Sequence, residues 1–185
     1  KNDLTNIDQL IHNRNSFAAL KKDGSVVSWG GFAKQSDITK NRLSKGVKKL
    51  FASNDAYAAL KEDGSVVLWG KIRDSSDKTI DTEIKGKYIN IFSQGQSFVL
   101  QKEDGSIEIY DNGYSYPEFK GEFVNVLTSD EHIYPGKGST FAALRVDGSV
   151  ETFGGNTNTA HTVLDLLKKD VEKIQELQRR LRRTI

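Results

Sequence analysis

A stretch of about fourteen residues returns four times along this chain of 185 residues, and that repetition limits the possible folds more than any other feature. It first reads Phe17-Ala18-Ala19-Leu20-Lys21-Lys22-Asp23-Gly24-Ser25-Val26-Val27-Ser28-Trp29-Gly30. It comes back from Tyr57 to Gly70, from Phe98 to Tyr110 and from Phe141 to Gly154. The Asp-Gly pairs start at 23, 63, 104 and 147, so the spacings are 40, 41 and 43 residues. A motif of this length at near-constant spacing marks one supersecondary unit used four times.

Each copy is preceded by a short apolar run and a polar loop. Ile7, Leu10 and Ile11 lead to His12-Asn13-Arg14-Asn15, and Val47, Leu50 and Phe51 lead to Ser53-Asn54-Asp55. Tyr88, Ile89, Ile91 and Phe92 lead to Gln94-Gly95-Gln96, and Phe123, Val124, Val126 and Leu127 lead to a longer loop from Thr128 to Thr140. Five or six apolar or β-branched residues between turn signals suit strands and are too short for helices. The Asp-Gly pair predicts a two-residue hairpin turn of type I′, with both residues at positive φ. The connectors Gly31–Lys45, Lys71–Lys85 and Asp111–Glu122 have room for a short outer strand, of which Thr79–Ile84 alternates as an edge strand does.

The expected fold is therefore mainly β. Residues 1–160 form a propeller-like array of four antiparallel three- to four-stranded repeats, with units at about 5–45, 46–86, 87–121 and 122–158. Residues 161–185 follow as an amphipathic α-helix, because from about Thr162 the apolar residues Val163, Leu166, Leu167, Val171, Ile174, Leu177 and Leu181 recur at three and four. Early acidic residues and the late Arg179, Arg180, Arg182 and Arg183 suit the helix dipole. This helix either docks on the β domain or reaches a partner by self-association or domain contact. The chain contains no methionine, which suggests a piece of something longer, and no cysteine, which excludes disulfides and thiolate sites.

The repeats, at Ala-Leu-Lys-x-Asp-Gly-Ser-Val-x-x-Trp-Gly in 17–30 and 57–70, resemble those of the regulator of chromosome condensation superfamily, especially its short bacterial version. The resemblance covers residues 5–158 and implies a β-propeller, usually of seven blades. This chain departs from the pattern in holding Asn15-Ser16, Asp55-Ala56 and Gln96-Ser97 where the family often has Gly-His, and Tyr110-Asp111 where it has Trp-Gly. The founding member exchanges nucleotide on a small GTPase, and none of its contact residues can be placed here.

Enzyme chemistry finds little support. Asp23, Asp63, Asp104 and Asp147 repeat, but each precedes Gly-Ser in a turn, and turn chemistry accounts for all four. His12, His132 and His161 lack metal-ligand spacing, and no nucleophile elbow or phosphate loop is present. No catalytic, metal or cofactor residues are assigned. Trp29, Trp69, Tyr110 and Phe153, with Phe17, Tyr57, Phe98 and Phe141, fall at repeat-equivalent positions and are expected to fill gaps between units. A net charge of +2 advertises no nucleic-acid partner, and no apolar run approaches the roughly 18–20 residues of a membrane span.

What varies from copy to copy is the loop before each repeated strand, and variable loops on a fixed frame are where recognition resides. The expectation is a non-enzymatic protein-binding module, part of a larger bacterial secreted or surface protein. Asn13, Arg14, Asn54, Asp55, Gln94 and Gln96, with His132, Tyr134 and Lys137 of the long fourth loop, are the candidate contacts. The alternative is a structural shell or spacer in a larger toxin or effector.

Overall fold

The computed structural model describes residues 4–31, 35–71, 79–111, 114–116, 118–128 and 139–154. The chain divides into two compact units, residues 1–120 and 121–185. The first holds three sheets. β1 (Ile7–His12), β2 (Ser16–Lys21) and β3 (Val26–Gly30) form one; after α1 (Asp37–Arg42), β4 (Val47–Ala52), β5 (Ala56–Lys61), β6 (Val66–Lys71) and β7 (Thr79–Ile84) form the next. β8 (Tyr88–Gln94), β9 (Ser97–Lys102), β10 (Ile107–Asp111) and β11 (Tyr114–Ser115) form the third. The second unit holds β12 (Phe123–Thr128), β13 (Thr140–Arg145) and β14 (Val150–Gly154). All pairs are antiparallel meanders, and every first strand carries an irregularity at the same place, as between Ile7 and Gln9 or Val47 and Lys49. The helix expected over 161–185 and the long loop with His132, Tyr134 and Lys137 lie outside the described residues.

The Asp-Gly turns differ from expectation. Only the glycines have positive φ, at 78°, 81°, 82° and 85° for Gly24, Gly64, Gly105 and Gly148; the aspartates do not. Gly24 N donates to the Lys21 carbonyl at 2.9 Å and Lys21 N to the Ser25 carbonyl at 2.8 Å, so the turn spans Lys21 to Gly24 and the glycine follows its corner. The reason lies in the aspartate. Asp23 Oδ1 accepts from Ser25 N at 2.9 Å and Ser25 Oγ at 2.6 Å, and this local clasp holds the aspartate at ordinary negative φ. The same pair of bonds recurs at Asp63, Asp104 and Asp147.

The connectors diverge. The second forms β7, and the third forms the short β11 with a bridge between Ile107 and Phe119. The first forms α1 instead, capped by Ser36, whose hydroxyl accepts from Thr39 N at 3.0 Å. Thr39 Oγ1 and Arg42 Nη1 both donate to the Asp81 carboxylate on β7, the arginine at 3.2 Å, which ties the helix to the second sheet.

In residues 1–120 each sheet uses its two faces differently. From the first sheet Ala18, Leu20 and Val26 pack with Tyr57, Ala59, Val67 and Trp69 of the second, together with Leu43, Val47 and Leu50. From the second, Ala56, Ala58, Leu60, Val66 and Leu68 pack with Tyr88, Ile91, Phe98 and Leu100 of the third. Small and branched residues on the trailing face of one sheet thus meet the aromatic leading face of the next. Tyr57 and Trp69 are stacked at 5.3 Å and almost wholly buried; each such side chain contributes roughly 1.5–3 kcal/mol by burial. Gly70 lets this happen. Its φ is 123°, and a Cβ there would sit 2.7 Å from Ala56 Cα and 2.8 Å from the Asp55 carbonyl, so the glycine of the Trp-Gly pair lies where two strand backbones touch.

Gln9 adds a side-chain contact between sheets. Its side chain donates to the Leu50 carbonyl at 2.9 Å and accepts from Leu50 N at 2.8 Å, across the first two sheets. The expected burial of the aromatic registers holds for Tyr57, Trp69, Phe98 and Phe141, whereas Trp29, Tyr110 and Phe153 are half-buried and Phe17 is exposed. Phe17 and Trp29 stack at 5.6 Å, and Phe17 is 46 % exposed; among the described residues of the first unit no sheet packs on that face of the first sheet.

Candidate protein-binding loop face

The three loops that precede β2, β5 and β9 come together at one end of residues 1–120. Arg14 N donates to the Asn54 carbonyl at 3.2 Å, and Asn54 N donates to the Gly95 carbonyl at 2.6 Å. Counted back from Ser16, Ala56 and Ser97, these three residues hold the same place in their loops. The backbone ladder therefore repeats while the side chains on it change from arginine to asparagine to none. Sequence alone leaves that ladder invisible, since main-chain bonds carry no residue signature.

Each loop is also braced from within. Asn13 N donates to the Ser16 carbonyl and Ser53 N to the Ala56 carbonyl, both at 3.0 Å. Asn13 Oδ1 accepts from Asn15 N at 3.1 Å and from Ser16 Oγ at 2.7 Å. The Tyr57 hydroxyl lies 2.9 Å from Ser16 Oγ. Since the one serine proton goes to Asn13, Tyr57 is the donor in that pair. Burial pushes the Tyr57 phenol up from its ordinary value, against the pull of Ser16, so it stays a neutral donor. Ser16 and Tyr57 escape a search for exposed contacts; the available signal is a tyrosine where the other three copies carry phenylalanine.

A groove of about 320 Å³ opens over this ladder, lined by His12, Asn13, Arg14, Ala52, Ser53, Asn54, Gln94 and Gly95. Four of the sequence candidates, Asn13, Arg14, Asn54 and Gln94, thus share one concave surface, with Arg14 and Gln94 exposed. Gln96 is half-buried beside it. Asp55 departs from the reading as a surface contact. It is 2 % exposed, and its carbonyl accepts from Lys71 N at 2.9 Å, so it braces the end of β6. The lining offers one guanidinium, amide side chains, hydroxyl and imidazole, which is hydrogen-bonding chemistry without a nucleophile–base pair. Among the described residues no group of three or more His, Asp or Glu is arranged to hold a metal ion, and no helix is long and apolar enough to cross a membrane.

No protein-family model and no curated protein matches the chain. Solved structures do. The Saccharomyces cerevisiae Prp20p structure, of yeast RCC1, matches at 14% identity and TM-score 0.52, over 80% of this chain and 45% of that one. Human WBSCR16 matches at 16% identity and TM-score 0.52, over 83% of this chain and 49% of that one. The fold is an RCC1-like β-propeller repeat fold. This RCC1-like chain spans about half the length of those it matches, and its four antiparallel sheets of three or four strands are consistent with a propeller-like array. At such identities the likeness concerns the fold.

Proposed function

We propose that the chain is a non-enzymatic protein-binding module whose partner sits on the row of loops at Asn13–Arg14, Asn54 and Gln94–Gln96. One observation carries this reading: repeat-equivalent backbone is locked by the Arg14–Asn54–Gly95 ladder, while the side chains it displays differ at every step. A rigid backbone with unlike side chains lowers the ordering cost of binding and confers specificity. Arg14 is the anchor of choice, since an exposed guanidinium beside amides suits carboxylates and carbonyls of a protein surface. His132, Tyr134 and Lys137 extend the same reading to the fourth loop. Prp20p, which shares the fold, is described by its binding properties to Gsp1p and histones, so the scaffold is compatible with protein recognition. The likeness of the repeats to the short bacterial version supports reading the module as a piece of a larger bacterial secreted or surface protein.

The test is site-specific photo-crosslinking. A crosslinker at Asn54 is compared with one at Glu62, which lies at the opposite, Asp-Gly end of the second sheet. Adducts formed from Asn54 and abolished by Arg14→Ala with Gln94→Ala support the loop face. Equal adducts from Glu62, or adducts that survive the double variant, refute it.

A further inference from the structure

Arginine pairing sets the loop face apart from the rest of the described structure. Arg42 meets the Asp81 and Glu83 carboxylates at 3.2 and 3.6 Å, and Arg145 meets Glu151. Arg14 is exposed and, among the described residues, makes no ion pair. Its backbone is fixed all the same, because its N–H is committed to the Asn54 carbonyl. A guanidinium only donates and keeps its charge, so what Arg14 lacks is an anionic acceptor.

The groove around it has the matching imbalance. Its main-chain acceptors are engaged: the Asn54 carbonyl takes Arg14 N, the Gly95 carbonyl takes Asn54 N, and the Asn13 carbonyl lies 3.2 Å from His12 Nδ1. Asn13 Oδ1 is bound by Asn15 N and Ser16 Oγ, whereas Asn13 Nδ2 is buried and meets no acceptor. The negative end of that amide is thus neutralised and its positive end is not, which adds positive potential to the wall beside Arg14. Among the described residues no Asp or Glu lines the groove. Asp55 follows Asn54 but is 2 % exposed, and its carboxylate oxygens do not reach the surface.

We propose that the groove receives the carboxylate of one Asp or Glu side chain of a protein partner, with Arg14 as its bidentate donor. This rests on the loop-face reading and adds the chemistry of the group received. Two features select it. The lining holds one guanidinium and no lysine, so a single negative charge is balanced and a phosphate dianion leaves a surplus. The volume, about 320 Å³, lies at the low end of the roughly 300–1,000 Å³ of ligand sites. A side chain offered by a loop fits there, and a helix about 10 Å across does not.

The experiment selects disulfide-closed peptides from a display library on the 185-residue chain and maps each binder with photo-crosslinkers at Asn54 and at Glu62. Binders captured from Asn54 should share one Asp or Glu. Changing that acid to its amide should weaken binding at least about tenfold on the unaltered chain and less than about twofold on Arg14→Gln. Arg14→Gln keeps the main-chain ladder, so the comparison reads the guanidinium and not the loop. Arg14→Lys should restore only part of the preference, because an ammonium lacks the planar fork. Binders captured from Asn54 that share no acid, or an acid-to-amide loss equal on both chains, overturn the carboxylate proposal and leave the loop face standing. Binders captured only from Glu62, or none at all, overturn both.

Discussion

The hydroxyl of Tyr57 donates to Ser16 Oγ over 2.9 Å, and through it the core of the second repeat holds the loop that precedes β2 in the first. Tyr57→Phe removes that bond and leaves Ser16 bound to Asn13 alone. The expected cost is about 1 kcal/mol, or roughly 2–4 °C in melting midpoint. Crosslinking from the loop face should weaken more than this loss of stability explains. A midpoint unchanged within error would show that the bond contributes nothing.

The four turn aspartates make the fold sensitive to acid. Hydrogen bonds from the following serine, side chain first and backbone second, hold Asp23, Asp63, Asp104 and Asp147 below the ordinary aspartate value of 3.8. A carboxyl depressed on folding stabilises the native state above the unfolded value, and that contribution fades as pH falls through the depressed one. Melting midpoints should therefore drop below about pH 3.8. Replacing all four by asparagine should lower the midpoint at neutral pH and flatten the acid limb. Parallel acid limbs in the two proteins would exclude the turns as its source.

Two glycines separate crowding from backbone strain. Gly148 has φ 85° with nothing within 4 Å of a built Cβ, whereas Gly70 has φ 123° and faces Ala56 and the Asp55 carbonyl under 3 Å. Gly148→Ala should cost about 1–2 kcal/mol from conformation alone. Gly70→Ala adds a steric clash to the strain and should cost at least twice as much, read from urea midpoints at equal slope. Equal losses would show that the backbone at Gly70 moves freely.

Helix α1 depends on one carboxylate. Burial acts to raise the Asp81 carboxyl, but hydrogen bonds from Ser36 and Thr39 and the charge of Arg42 outweigh it and leave it lowered. Asp81→Ala removes the tie, and amide exchange across Asp37–Arg42 should speed up by an order of magnitude while the sheets keep theirs. Uniform exchange along the chain would mean that the helix is held by Leu43 instead, which is fully buried.

How much of this was legible in the sequence varied with the range of the interaction. Strand, turn and loop positions followed from local chemistry, and the fourfold repeat led to the propeller-like array of sheets. The turn type did not follow, because the Asp-to-Ser clasp overrides the preference of an Asp-Gly pair for positive φ. The first connector became a helix through a cap at Ser36 and a tertiary tie to Asp81, neither of which a strand pattern reveals. The lining of the candidate groove was half legible. Arg14, Asn54 and Gln94 stood out as non-repeating loop residues, while the burial of Asp55 and the exposure of Phe17 depend on which sheet lies next door.

Gln9 changes what the repeat can tolerate. Its amide occupies both main-chain groups of Leu50 on the first strand of the second sheet, so that strand's backbone is not free to template a foreign one. Lys49 holds the corresponding position one unit on, and an ammonium can donate but cannot accept. Units built on interchangeable frames risk pairing out of order. A single amide that matches one neighbour's backbone gives the first two units an address, so that shuffling them would cost a correct junction even with every blade intact.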